Sequence, residues 1–292
     1  MPKQTTDIAG VAVGIDYGGA ATWTIAKGVS IDAMDTAVAS SHARSKLINK
    51  GDLSGGVLGV HFDATPGGFV IDNRGSIEGG AFGIFVVGET GGATKIVNAK
   101  GAEIAGEEVA IGVVGALRLK NDGRIDGDVI AETASASTVV NKGKIAGGVF
   151  LGTGDDVFRS KGKGKAELVD LGRGNDKMVF GAKADTFQFS ADLDAETNVD
   201  RLKKFESGKD ELHLTSYVFG ALEPGALPAS SFRKGKEAKD ADDHIIYNKK
   251  TGALYYDPDG AGGANQVKFA QLDKGAKLKA SDFTIVEHDF VL

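Results

Sequence analysis

The residues whose types and spacing could do chemistry lie between positions 152 and 187. Four segments align on Gly-x-Gly-x-Asp-x-apolar. They are Gly152-Thr-Gly154-Asp155-Asp156-Val-Phe158, Gly162-Lys-Gly164-Lys-Ala166-Glu-Leu168, Gly172-Arg-Gly174-Asn175-Asp176-Lys-Met178 and Gly181-Ala-Lys183-Ala-Asp185-Thr-Phe187. The aligned positions 156, 166, 176 and 185 follow one another at intervals of 10, 10 and 9. Glycines let a loop turn its carbonyls toward one point, the Asp adds a carboxylate, and the apolar residue two places on anchors a short strand. A set of carboxylates and carbonyls suits a hard divalent cation such as calcium, which takes about 6–8 oxygens.

If each unit is half a turn of a coil, units n and n+2 stack on one side. The first and third then combine Asp155, Asp156 and Asp176, with Asn175 adding an amide oxygen. The second and fourth keep only Asp185, since Ala166 replaces the other acid and Lys163, Lys165 and Lys183 add positive charge. One competent calcium side and one degraded side are expected. A further candidate is Asp257-Pro-Asp259-Gly260, which begins like a D-x-D-G calcium loop but lacks the distant Glu of a full EF-hand. Pro, Asp and Gly also favour a plain turn there.

These units resemble the glycine- and aspartate-rich nonapeptides of the RTX, or hemolysin-type calcium-binding, family, whose G-G-x-G-x-D-x-U-x repeat forms a calcium-loaded parallel β-roll. The first Gly of that motif is Leu151 and Leu171 in units one and three, and two units are decapeptides. Asn198-Val-Asp-Arg-Leu-Lys-Lys-Phe205 and Ser207-Gly-Lys-Asp-Glu-Leu-His-Leu214 look like the segment that closes the roll in serralysin-type proteins. Asp289-Phe290-Val291-Leu292 looks like the uncleaved C-terminal signal of bacterial type I export substrates. The resemblance implies a secreted, extracellular or cell-surface bacterial protein. It would pass through type I secretion machinery unfolded and fold in extracellular calcium.

The elements that must position these groups are announced by a second repeat. The phrase Asn-x-Gly-x-Ile/Leu-x-Gly begins at Asn49, Asn73, Asn121 and Asn141, and at Asn98 with one inserted residue. The Asn intervals are 24, 25, 23 and 20, and a degenerate copy precedes them at Ala26-Lys-Gly28. Alternation turns Ile or Leu inward and polar residues outward, while Asn and Gly supply the corner backbone. A period of 20–25 residues with corners predicts coils that bury their faces only against one another. The Asn side chains are read as a stacked corner ladder; the other reading makes them the lining of a ligand groove.

The expected fold is all-β: a right-handed parallel β-helix/β-roll solenoid followed by a β-rich C-terminal domain. Residues 1–20 are a leader or cap, 21–150 hold about six coils, 151–190 the calcium roll and 191–292 the C-terminal domain. His244-Ile-Ile-Tyr247 and Ala253-Leu-Tyr-Tyr-Asp257 flank Asn248-Lys-Lys-Thr-Gly252 and predict a hairpin. Val267 to Leu272 and Phe283 to Val286 are further strands.

Composition fits stacked β-structure. Glycine contributes 43 of 292 residues, aromatics 7% and charged residues 25%. The absence of Cys excludes disulfides, thiolate metal sites and thiol nucleophiles. A formal charge of -6 without a basic block argues against nucleic acid, and no apolar run is long enough to span a membrane. The five histidines form no H-E-x-x-H, and neither a G-x-S-x-G elbow nor a phosphate loop occurs. The expected role is therefore non-enzymatic: structural, adhesive or binding to surface polysaccharide. The alternative is a polysaccharide lyase or epimerase using the coil face. An open N-terminal coil end favours self-association.

Overall fold

A computed structural model of the chain describes residues 1–19, 22–88 and 92–287. The segment Asp289–Leu292, read above as an export signal, lies outside the described residues. Among the described residues nearly all regular structure is β, interrupted by two single-turn 3-10 helices at Ala229–Ser231 and Ala280–Asp282. The strands of the described residues form two long sheets, a front sheet of 14 strands and a back sheet of 15, and the chain alternates between them as it coils. About 9 turns stack into a β-solenoid.

Each early turn has three short pieces. Lys46–Asn49, for instance, lies in the front sheet, Asp52–Gly55 begins the back sheet, and Leu58–Asp63 completes it. The next turn repeats this with Val70–Asn73, Ser76–Gly79 and Phe82–Val87, paired parallel and residue for residue. Inside, the repeated Ile and Leu positions align: Leu53 on Ile77, Ile77 on Ile104, Ile104 on Ile125, and Ile125 on Ile145. Each is at most 1% exposed, so the hydrophobic effect fixes the register that alternation predicts.

The period shortens where the first back segment shrinks. It is four residues at Ser76–Gly79, two at Lys144–Ile145, and a single bridge at Lys165. The Asn spacing falls to 20 where the back strand shortens from the 12 residues of Glu103–Val114 to the 9 of Arg124–Glu132, and losing the first back piece then turns a coil of three segments into two half-turns, where the Gly-x-Gly-x-Asp units appear.

At the N-terminus, Lys3–Gln4 and Ile8–Tyr17 pair parallel to Thr22–Ile25 and Ser30–Ser40 as the first turn. At the other end the repeat pattern fades near Ala191, yet the coil goes on through Asp200–Lys203 and Glu211–Thr215. Val267–Leu272 and Phe283–Val286 then add one more parallel strand to each sheet. The hairpin Ile245–Asn248 with Ala253–Tyr256 packs antiparallel onto Val267–Leu272, and Phe219 against Tyr256 and Phe269 closes the core. No helix among the described residues is long and apolar enough to cross a membrane.

Candidate metal centre

The loops of units one and three lie directly above one another, where the chain passes from the back sheet to the front sheet. A Cβ on Gly172 would stand 2.1 Å from the Gly152 carbonyl oxygen, and one on Gly174 would stand 2.3 Å from that of Gly154. Both residues also have positive φ, 78° and 140°. Only glycine permits this stacking. It brings the loop carbonyls and the Asp side chains of successive turns together at one edge of the solenoid.

The acids form a column at the start of the front strands: Asp156 and Asp176 stand one residue before Val157–Ser160 and Lys177–Val179, and Asp200 opens Asp200–Lys203. Asp156 Oδ1 accepts the Ser137 amide at 2.5 Å, Asp176 Oδ1 the Asp156 amide at 2.7 Å, and Asp200 Oδ1 the Asp176 amide at 3.1 Å. All three acids are buried. One turn earlier Ser137 Oγ accepts the Leu117 amide, so a hydroxyl suffices for this structural bond. The second oxygens of Asp156 and Asp176 are then surplus. Asp156 Oδ2 and Asp176 Oδ2 are buried without a hydrogen-bond partner. Asp155 and Asn175 make a parallel, outer column: Asp155 Oδ1 accepts the Asn175 amide at 2.9 Å, and Asn175 Oδ1 that of Val199 at 3.2 Å.

Burial penalises these charges. It pushes Asp176 up to about 9, with the neighbouring carboxylates of Asp200, Asp156 and Asp155 adding repulsion. Burial pushes Asp156 up to about 7. Asp200 rises to about 7, again through burial first, with Asp170 adding repulsion. None of the described salt bridges brings a Lys, Arg or His to this column. Among the described residues no three acidic or histidine side chains converge on one point, so ligands beyond the paired carboxylates would be backbone carbonyls and water. A cation that displaced these protons would leave the buried oxygens acceptor-only and uncompensated, which fits a hard ion.

The opposite edge carries the second column. Asp185 Oδ2 accepts the Gly181 amide at 2.7 Å, while Asp210 Oδ1 accepts the Asp185 amide at 3.2 Å and its Oδ2 that of Glu206 at 2.9 Å. Asp185 Oδ1 is buried without a partner. Here a cation is already in the chain: Lys209 Nζ donates to the Gly181 carbonyl at 2.8 Å and lies 3.6 Å from Asp210 Oδ1. Burial still raises both acids, and Lys209 opposes the shift in each.

Asp257 and Asp259 lie apart from both columns. Asp259 Oδ2 accepts the amides of Gly263 at 2.8 Å and Ala264 at 3.1 Å, and these bonds lower its pKa. Asp257 is buried, and burial raises its pKa. Gly260 has φ 62° and packs against the carbonyls of Asp240 and Ala241. The structure therefore displays a closed turn at this D-x-D-G.

Along the same edge as the second column, earlier turns carry the Asn ladder. Each amide nitrogen donates to the next Asn oxygen, from Asn49 to Asn73, Asn98, Asn121 and Asn141, at 2.9–3.0 Å. The same nitrogens reach the carbonyls of Ser76, Glu103, Arg124 and Lys144. All five are 0% exposed, so the ladder is structural, and the surface pocket beside it is lined by flanking residues such as Arg74, Lys100, Asp122 and Lys142 and not by the Asn side chains.

Units one and three thus share a side, as their spacing predicts. Sequence reasoning missed Asp200 and Asp210, which extend the two columns, and Lys209. Asp200-Arg-Leu202 and Asp210-Glu-Leu212 repeat the Asp-x-apolar signature, which was the available signal. No known protein-family model matches the chain, and no characterised protein or solved structure matches it.

Proposed function

We propose that this chain is a secreted β-solenoid with a structural or surface-adhesive role, whose folding is completed by calcium held along the Asp156–Asp176–Asp200 column. The observation that carries the reading is the pair of buried, unpartnered oxygens, Asp156 Oδ2 and Asp176 Oδ2. Bound calcium supplies the positive charge that the column lacks. The chain's own part is to stack the acids by glycine-only loops, hold each Oδ1 on a backbone amide, and leave the second oxygen for the ion. The likeness of these units to RTX repeats points the same way.

Binding free energy at such a site becomes folding free energy. Where calcium is scarce, as in a cytosol, the repelling acids weaken the roll, which suits export of an unfolded chain through type I machinery. Outside, calcium restores it. The experiment is far-UV circular dichroism of the protein in EDTA, titrated with calcium and, separately, magnesium. A calcium-selective gain of β-signal and of melting temperature is expected at or below millimolar calcium. An unchanged spectrum and melting temperature would remove calcium from the reading and leave the columns as turn chemistry.

A further inference from the structure

The front face of the coil gathers cations in a way that the net charge of -6 conceals. On the front sheet, outward positions align from turn to turn. One row runs Lys46–Val70–Lys95–Arg118–Thr138–Val157–Lys177–Arg201. Beside it runs Asp72–Val97–Lys120–Val140–Arg159–Val179–Lys203. Asp72 is the one acid in these two rows, and Arg74 covers it at 2.8 Å. Lys120 and Lys203 are paired with Asp122 and Asp273. Lys46, Lys95, Arg118, Arg159, Lys177 and Arg201 take part in none of the described salt bridges. On the back sheet, the row His61–Phe85–Gly112–Ile130–Phe150–Asp170 contains no Lys or Arg, and the row Asp52–Ser76–Glu103–Arg124–Lys144 mixes both signs, with Arg124 paired to Glu103.

We infer that the front face binds a linear anionic polysaccharide lying along the solenoid axis. Successive turns are about 4.8 Å apart, so cations recur along a straight line, as carboxylates do along a polymer of uronic acid. Between the cations stand Val and Thr, flat and weakly polar, suited to the faces of sugar rings. No aromatic side chain stands in either row, so the stacking platform that single-stranded nucleic acid requires is missing. A flat sheet also offers no helix or ribbon to enter a duplex groove. This inference gives the adhesive role above a chemistry, and it rests on the solenoid rather than on calcium.

The test is binding of the full chain to oligogalacturonate at one fixed calcium concentration, with neutral dextran and duplex DNA as comparison ligands. The double variant Lys95→Glu/Arg118→Glu is set against Lys234→Glu/Lys249→Glu, which changes net charge equally in the C-terminal region. Both pairs are surface residues, and circular dichroism checks that each variant folds. The expected result is a loss of about tenfold or more and a shallower salt dependence for the front-face variant only. Equal losses in both variants, equal binding of dextran, or tighter binding of duplex DNA would overturn it. Asp176→Asn serves to separate the two readings. It removes the calcium response and, if folded, leaves oligogalacturonate affinity unchanged; a parallel loss of both would tie binding to calcium and sink the independent front-face site.

Discussion

At one edge of the solenoid Asn49, Asn73, Asn98, Asn121 and Asn141 stack with every amide nitrogen and oxygen engaged. At the other edge, further along the axis, Asp156, Asp176 and Asp200 stack in the same turn-by-turn manner. Asn and Asp have nearly the same shape, but an Asn carries donors as well as an acceptor, and an ionised Asp only accepts. A column of Asn is therefore self-complementary, each NH2 meeting the next oxygen. A column of Asp can use one oxygen on the preceding turn's amide, and the other faces charges of its own sign. The same backbone geometry yields a finished brace in one place and an unfinished one in the other.

Exchanging the residues is the sharpest way to break this comparison, and the largest effect is expected in the neutral ladder. Asn98→Asp removes the donors to Asn121 Oδ1 and to the Arg124 carbonyl and puts a charge, with no cation beside it, where exposure is 0%. A destabilisation of about 3–5 kcal/mol is expected, read from urea melts in EDTA and unaltered by calcium. Asn98→Ala, which creates orphan groups but no charge, should cost less, about 1–3 kcal/mol. If the two variants melt alike, charge is not what separates the columns.

The reciprocal change, Asp176→Asn, should have opposite signs in two buffers. In EDTA above about pH 9, where Asp176 is ionised, it relieves burial of a charge and like-charge repulsion, and it stabilises by about 1–3 kcal/mol. In calcium it abolishes the gain in melting temperature that the unchanged protein shows. A variant that is less stable in both buffers, with an unchanged calcium increment, would make the column a purely structural brace.

Much of this architecture is legible in the sequence because it depends on periodicity. The Asn-x-Gly phrases mark the corners, and the Ile and Leu positions buried at Ile77, Ile104 and Ile125 follow from alternation. The pairing of Asp156 with Asp176 follows from half-turn spacing. What escaped reading depends on contacts between residues whose spacing drifts. Asp200 stands 24 residues after Asp176, because the intervening corner grew into the loop between Phe189 and Asp200, so a strict 10-residue frame passes over it. Lys209 neutralises Asp210 by position in space; in sequence it is one lysine among many. The basic front face is invisible to composition because its cations come singly, one or two per strand.

A smaller effect, still specific to the acid column, should appear with pH. Folded Asp156, Asp176 and Asp200 hold their protons to about 7, 9 and 7, against about 3.9 in an unfolded chain. The folded state then binds more protons between these limits, so stability falls as pH rises. Their contribution is complete below about pH 4 and is lost through about pH 7–9. In EDTA, melting temperature should decline across that window, and Asp176→Asn should flatten the decline. Rising stability over the window in EDTA would contradict the burial of uncompensated acids.

The smallest effect belongs to the second column, where the two acid rows can be set against each other. Lys209 already lies 3.6 Å from Asp210 and bonds the Gly181 carbonyl beside Asp185, so an added cation gains little there. Asp185→Asn should leave most of the calcium increment in place, in contrast to Asp176→Asn, and should shift stability in EDTA by about 1 kcal/mol or less. Lys209→Gln strips the internal cation and makes the second column resemble the first. Isothermal titration should then show calcium binding beyond that of the unchanged protein. If Asp185→Asn removes the calcium response and Asp176→Asn does not, the assignment of the two edges is reversed, and an internal lysine is not what distinguishes them.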